Sequence, residues 1–103
     1  MRHLRRYDSP PEVHAQSGER DAASAEAAVG DATRAYARGD CLTAGKRIDD
    51  AYYALGAGYA HSVAEGRRTS GSLHDRLTHA ERGLKAIDSK FERTCVRKKP
   101  TRR

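Results

Sequence analysis

Apolar residues recur along this chain at helical spacing in three blocks, separated by two clusters of turn formers. In the first block Ala22, Ala25, Val29, Ala32 and Tyr36 alternate steps of three and four. That spacing puts them on one stripe of a helix over about residues 19 to 38. Alanines make the stripe thin, suited to close backbone approach but burying little area at roughly 25 cal/mol per Å². Gly39-Asp40 follows, a glycine suited to a left-handed helix stop and an aspartate suited to capping the next helix.

The second block carries Cys41, Gly45, Ile48, Tyr52, Leu55, Tyr59 and Val63 at the same spacing, which predicts a helix from Cys41 to Glu65. Gly45, Gly56 and Gly58 each weaken a helix by up to ~1 kcal/mol relative to alanine. Their compensation is a neighbouring helix packed close against them. A polar turn over residues 66–71 leads to Ser72 and Asp75, an acid three residues after a cap. The third block is the most regular: Leu73, Leu77, Ala80, Leu84, Ile87, Phe91 and Cys95, ending near Val96 before Pro100.

Short connections make neighbouring helices antiparallel. Zipping the second and third together from their turn pairs residues whose numbers sum to about 137. Cys41 then lies beside Cys95, Ile48 near Ile87 and Phe91, and Tyr59 near Leu77. The expected fold is an all-α three-helix unit built on an antiparallel helical hairpin, with flexible basic termini. Its divisions are an extended basic arm over residues 1–17, where Pro10-Pro11 opposes helix, a domain over 18–96, and a disordered basic tail over 97–103. Core and docking positions are Ile48, Tyr52, Leu55, Tyr59, Leu77, Leu84, Ile87 and Phe91, while Tyr53 falls outside the stripe and is expected to be exposed.

Composition changes the picture by limiting the core. Among 103 residues only thirteen are Leu, Ile, Val or Phe, against seventeen Ala. So little bulk predicts marginal folding, completed by self-association or a partner. Abundant Ala, Arg and Gly with no Asn suggests a GC-rich bacterial or viral genome. No segment approaches the ~18 apolar residues of a membrane span. The basic start runs into Tyr7-Asp8-Ser9-Pro10-Pro11 instead of an apolar core, so no secretion signal is expected and the default location is cytoplasmic.

Charge changes it further, because the excess sits at the ends. Residues 1–11 carry a net +2 and residues 97–103 a net +5, around a body of −1. Arg2, Arg5, Arg6, Arg97, Lys98, Lys99, Arg102 and Arg103 are the candidate contacts for nucleic acid or another polyanion. The third helix interleaves Arg76, Arg82, Lys85, Lys90 and Arg93 with Asp75, Glu81, Asp88 and Glu92, the pattern of an ordinary solvated face.

Little else suggests chemistry. Cys41 and Cys95 form a candidate structural pair, either as a disulfide or as two buried reduced thiols, the form a cytosolic default favours. Gly39 to Lys46 misses phosphate-loop spacing by one residue and has Arg47 where a metal-binding hydroxyl belongs. Arg38-Gly39-Asp40 spells an adhesion tripeptide that a helix stop and cap already explain. His61, Glu65 and His74 make a weak metal trio on what reads as an exposed turn. Tyr52, Tyr53 and Tyr59 could stack nucleobases, though two of them lie on the packing stripe. No catalytic residue, metal or cofactor is expected, and no small-molecule substrate or membrane partner.

An Ala-rich helix, Arg38-Gly39-Asp40-Cys41, a Tyr/Gly-rich helix and a last helix closing on Phe91 and Cys95 together resemble small helical-hairpin proteins encoded by tailed bacteriophages of GC-rich hosts. The resemblance covers about residues 30 to 96 and implies a virion or assembly accessory protein, placed in the virion, with no functional residues to carry over. The expected function is a non-enzymatic subunit of a larger assembly or homo-oligomer, docking through helix faces with its basic ends on a polyanion. The alternative is a small free DNA- or RNA-binding regulator.

Overall fold

In the computed structural model, residues 11–65 and 70–96 are described, with side chains over 17–63 and 72–96. Three helices follow in order: α1 (Pro11–Ala37), α2 (Cys41–Glu65) and α3 (Ser70–Phe91), closed by one π-helical turn (Glu92–Val96). No strand occurs among the described residues, and the chain is an all-α three-helix unit.

Two boundaries correct the sequence reading. Helix α1 starts at Pro11, so residues 11–17 are helical instead of part of an extended arm, and residues 1–10 lie outside the described residues. Proline is well suited to a first helical position: its fixed φ is already helical, and the N–H it lacks has no partner in a first turn. Helix α3 starts at Ser70, which places Ser72 inside the helix and not at its cap.

The α1–α2 turn follows the local chemistry expected of it. Gly39 takes φ +80°, a conformation that disfavours side chains. Asp40 caps α2, its Oδ1 accepting from the Thr43 amide at 3.1 Å. That amide holds the Asp40 carboxyl below the usual carboxylate range.

Helices α1 and α2 pack together more extensively than any other pair. Ala22, Ala25, Ala28, Ala32 and Ala35 are buried on α1, and Ala44, Ala51 and Ala54 on α2. Two layers of methyl groups permit closer axes than leucines would. The bulk comes from Ile48 and Leu55 on α2 and from Leu73, Leu77, Leu84 and Ile87 on α3, with Tyr59 and Phe91 packed at the edge.

This geometry corrects the stripe read on α2. Tyr52 is 41% exposed and Val63 79% exposed, so neither belongs to the core. The predicted stripe faces α3 alone. The alanines of α1 draw the buried face of α2 around towards Ala44, Ala51 and Gly58, carrying Tyr52 and Val63 outward.

The glycines of α2 divide in the same way. A Cβ on Gly58 would come within 2.6 Å of Leu77 Cδ2, and one on Gly45 within 2.9 Å of Phe91 Cζ. Both are close approaches of α3, as their positions predict. Around Gly56 nothing lies within 4 Å. Gly56→Ala should therefore raise stability by about 0.5–1 kcal/mol, whereas Gly58→Ala should forfeit that gain against the fully buried Leu77. Thermal melts at low protein concentration check that Gly56→Ala raises Tm and Gly58→Ala does not.

Candidate functional site at the disulfide-tied end of the bundle

Cys41 opens α2 and Cys95 sits in the π-helical turn, and a disulfide joins them with Cα atoms 5.8 Å apart. Both cysteines are half-buried as well as bonded, so they are not a pair of buried reduced thiols. One turn further along α2, the Phe91 ring lies over Gly45. On the other side the Tyr36 hydroxyl hydrogen-bonds Thr94 Oγ1 at 2.8 Å, tying the end of α1 to the same turn. The π-helical turn buries no residue of its own. It is held by one covalent bond to α2 and one hydrogen bond to α1, and the basic run of residues 97–103 leaves the chain directly after it.

Along the α2–α3 seam, tyrosines reach across to carboxylates. Tyr52 donates to Asp88 Oδ2 at 2.7 Å, and Tyr59 donates to Glu81 Oε1 at 2.7 Å. The Tyr59 ring also meets His74 edge-on, with centroids 6.0 Å apart. These pairings obey the predicted antiparallel register closely, as do Cys41–Cys95 and Gly45–Phe91. Glu81 is held below the usual carboxylate range, first by the Tyr59 hydroxyl and then by Lys85 at 3.2 Å.

Partial burial of the Tyr52 ring, then its bond to Asp88, pushes its phenol from 10.0 up to about 12. A phenol raised in the folded state holds its proton longer there than in the unfolded chain. Its contribution is complete below pH 10 and fades as pH rises towards about 12. Absorbance titration near 295 nm should show a late-ionising tyrosine that disappears in Tyr52→Phe.

His61 is 3% exposed, its Nε2 3.8 Å from Asp21 Oδ2 on α1. The exposed turn expected for it is thus corrected: α1 covers this histidine, while His74 stays on the surface. Among the described residues no group of three His, Cys, Asp or Glu side chains could hold a metal ion.

The described residues include the linings of two shallow depressions. One, of about 290 Å³, lies between α1 and α3 against Val29, Ala80 and Gly83. Near it Arg76 clamps Glu26 through two bonds of 2.7 and 3.1 Å, holding the Glu26 carboxyl below its ordinary range. The other, of about 310 Å³, is lined by Asp88, Ser89, Glu92 and Arg93. Neither lining sets a nucleophile against a positioned base.

Of the residues singled out in the sequence, Ile48, Leu55, Leu77, Leu84 and Ile87 are core, and Tyr59 and Phe91 border it. Tyr53 is exposed as expected, at 78%. The polyanion candidates Arg2, Arg5, Arg6, Arg97, Lys98, Lys99, Arg102 and Arg103 lie outside the described residues. Three features escape a reading of the sequence: the Tyr36–Thr94 clasp, the Asp21–His61 pair, and Leu42, which stands 85% exposed on α2. Leu42 lies directly opposite Ala44, Ala51 and Gly58 on the helical wheel, a signal available once the buried face is known.

No helix of the described residues is long and apolar enough to cross a membrane. No protein-family model, curated protein or solved structure matches the chain.

Proposed function

We propose that this chain is a non-enzymatic structural subunit of a larger nucleic-acid-containing particle, the bacteriophage virion being the case that the hairpin resemblance implies. The observation that carries this reading is the anchoring of the π-helical turn. A disulfide and the Tyr36–Thr94 bond hold the root of a run with five positive charges and no acid against a helical body of net −1. Cations rooted at a fixed point can contact a phosphate backbone without reading its sequence. The body then supplies position by docking through its helix faces.

Purification from the native source without nuclease, followed by mass measurement and the 260/280 nm absorbance ratio, tests the reading. A high-mass species with excess 260 nm absorbance is expected. A nucleic-acid-free protein associated with nothing but itself would overturn it. Removing residues 97–103 should leave assembly in place and flatten the salt dependence of nucleic-acid affinity by about four in log–log slope, since each phosphate left without its cation accounts for about 0.7–0.9. Full loss of assembly on that truncation would place the docking in the tail instead.

A further inference from the structure

The face of α2 turned away from both other helices has an order of its own. Gly39, Leu42, Lys46, Asp49, Tyr53 and Gly56 follow one another at steps of three, four, three, four and three. Gly39 stands in the turn just before α2, the other five lie on the helix as one narrow stripe, and all six residues are exposed. The sequence of chemistries is symmetric: glycine, apolar, cation, anion, apolar, glycine.

We infer that this stripe is the contact surface for a second copy of the same chain, with the two α2 helices antiparallel about a two-fold axis between Arg47 and Ile48. In that register Lys46 of each copy faces Asp49 of the other, so two ion pairs form from one self-complementary patch. Leu42 of each copy packs on Tyr53 of the other, and the open backbone at Gly56 meets the Gly39 turn. A parallel arrangement, or a shift by one helical turn, loses this matching.

Three observations favour a second copy over another occupant. First, Lys46 and Asp49 form no hydrogen bond or ion pair among the described residues, although they are three apart on one helix, and Asp50 is already held by Arg47 at 2.8 Å. Both charges are available for a partner. Second, Leu42 is 85% exposed and Tyr53 78% exposed, and they bracket the charges symmetrically. Third, nothing lies within 4 Å of a Cβ built on Gly39 or Gly56. Gly39 is needed for its φ, but no neighbour within the monomer calls for glycine at position 56.

The helical part of the seam, Leu42 to Gly56, is about 21 Å long at 1.5 Å per residue. One helix pair of that length falls below the ~1,200 Å² of a standard stable interface, so association should be weak, with half-saturation at about 10–100 µM. This inference rests on reading the body as a docking module and names one partner for it.

Sedimentation equilibrium of nuclease-treated, disulfide-intact full-length protein at about 0.15 M salt is the test. The wild type should pass from monomer to dimer as concentration rises. Lys46→Glu and Asp49→Lys should each weaken the dimer at least ~tenfold, because both cross-pairs become like-charged. The double variant Lys46→Glu/Asp49→Lys should restore it, and circular dichroism should show native helicity throughout. A wild type that stays monomeric to millimolar concentration, single reversals without effect, or a double variant that stays monomeric would each overturn the two-fold seam. A monomer in this experiment that still enters a particle on native purification would reject the seam alone. A dimer that enters none would reject the proposed function alone.

Discussion

Replacing Cys95 with serine should lower the stability of this protein by about 4 kcal/mol. Closing a loop across a sequence separation of 54 residues removes that much entropy from the unfolded chain. For a protein of this size the change corresponds to about 15 °C or more in Tm. It is large against a total stability of roughly 5–15 kcal/mol, and this core is short of bulky side chains. A local effect should accompany the global one, because the π-helical turn has no buried residue and would keep only the Tyr36–Thr94 bond. Amide exchange over residues 92–96 should therefore rise before α2 and α3 open. Urea unfolding with and without reductant reads the global effect, and hydrogen exchange the local one. Equal midpoints for oxidised and reduced protein would show that the Cys41–Cys95 bond does not constrain the unfolded chain.

Leu84→Ala is the second substitution expected to have a large effect. Leu84 and Leu77 are the two largest fully buried side chains, and both project from α3 towards helices whose facing surfaces are mainly alanine. Alanine neighbours cannot lengthen to fill a space, and α1 and α2 are already closely packed. The cavity should persist, at about 3 kcal/mol or more. Leu42→Ala provides the internal control: at 85% exposure it should change monomer stability by no more than about 0.5 kcal/mol. Chemical denaturation at low protein concentration compares the two. If both leucines proved equally sensitive, the assignment of the outer face of α2 would be wrong.

Periodicity revealed α2 to its end residues and the α3 stripe from Leu73 to Phe91, because α3 carries one strong apolar face that meets both other helices. The α2–α3 register was legible for a related reason. A short connector fixes where two antiparallel helices begin to pair, and a constant rise per residue carries the pairing out to Cys41 and Cys95. Helix α1 was harder to bound. Pro11 reads as a breaker when its neighbours are counted, yet proline opens a helix as readily as it interrupts one.

The outer face of α2 is where sequence and structure part. Apolar spacing favoured Tyr52 and Val63 as core because they continue the three-four stripe through Ile48, Leu55 and Tyr59. Packing chose Ala44, Ala51 and Gly58 instead, since small residues let α1 approach most closely. Which residues then remain outside, including Leu42, Lys46, Asp49 and Tyr53, follows only from where two neighbouring helices sit.

By itself, then, the sequence determined three helices, their antiparallel hairpin, the capped Gly39-Asp40 turn, the level of the two cysteines and the concentration of positive charge at the ends. Those properties depend on residues near one another in the chain or on a regular rise along it. The tertiary structure alone decided that the cysteines are bonded, that His61 lies against Asp21, that Tyr36 clasps Thr94, and that α2 turns its alanines inward and a symmetric row of side chains outward. The disulfide depends on oxidation of two thiols that the α2–α3 register brings together, and the others depend on how α1 rotates and docks across the hairpin. No local spacing encodes that choice, because it minimises the volume of three helices together.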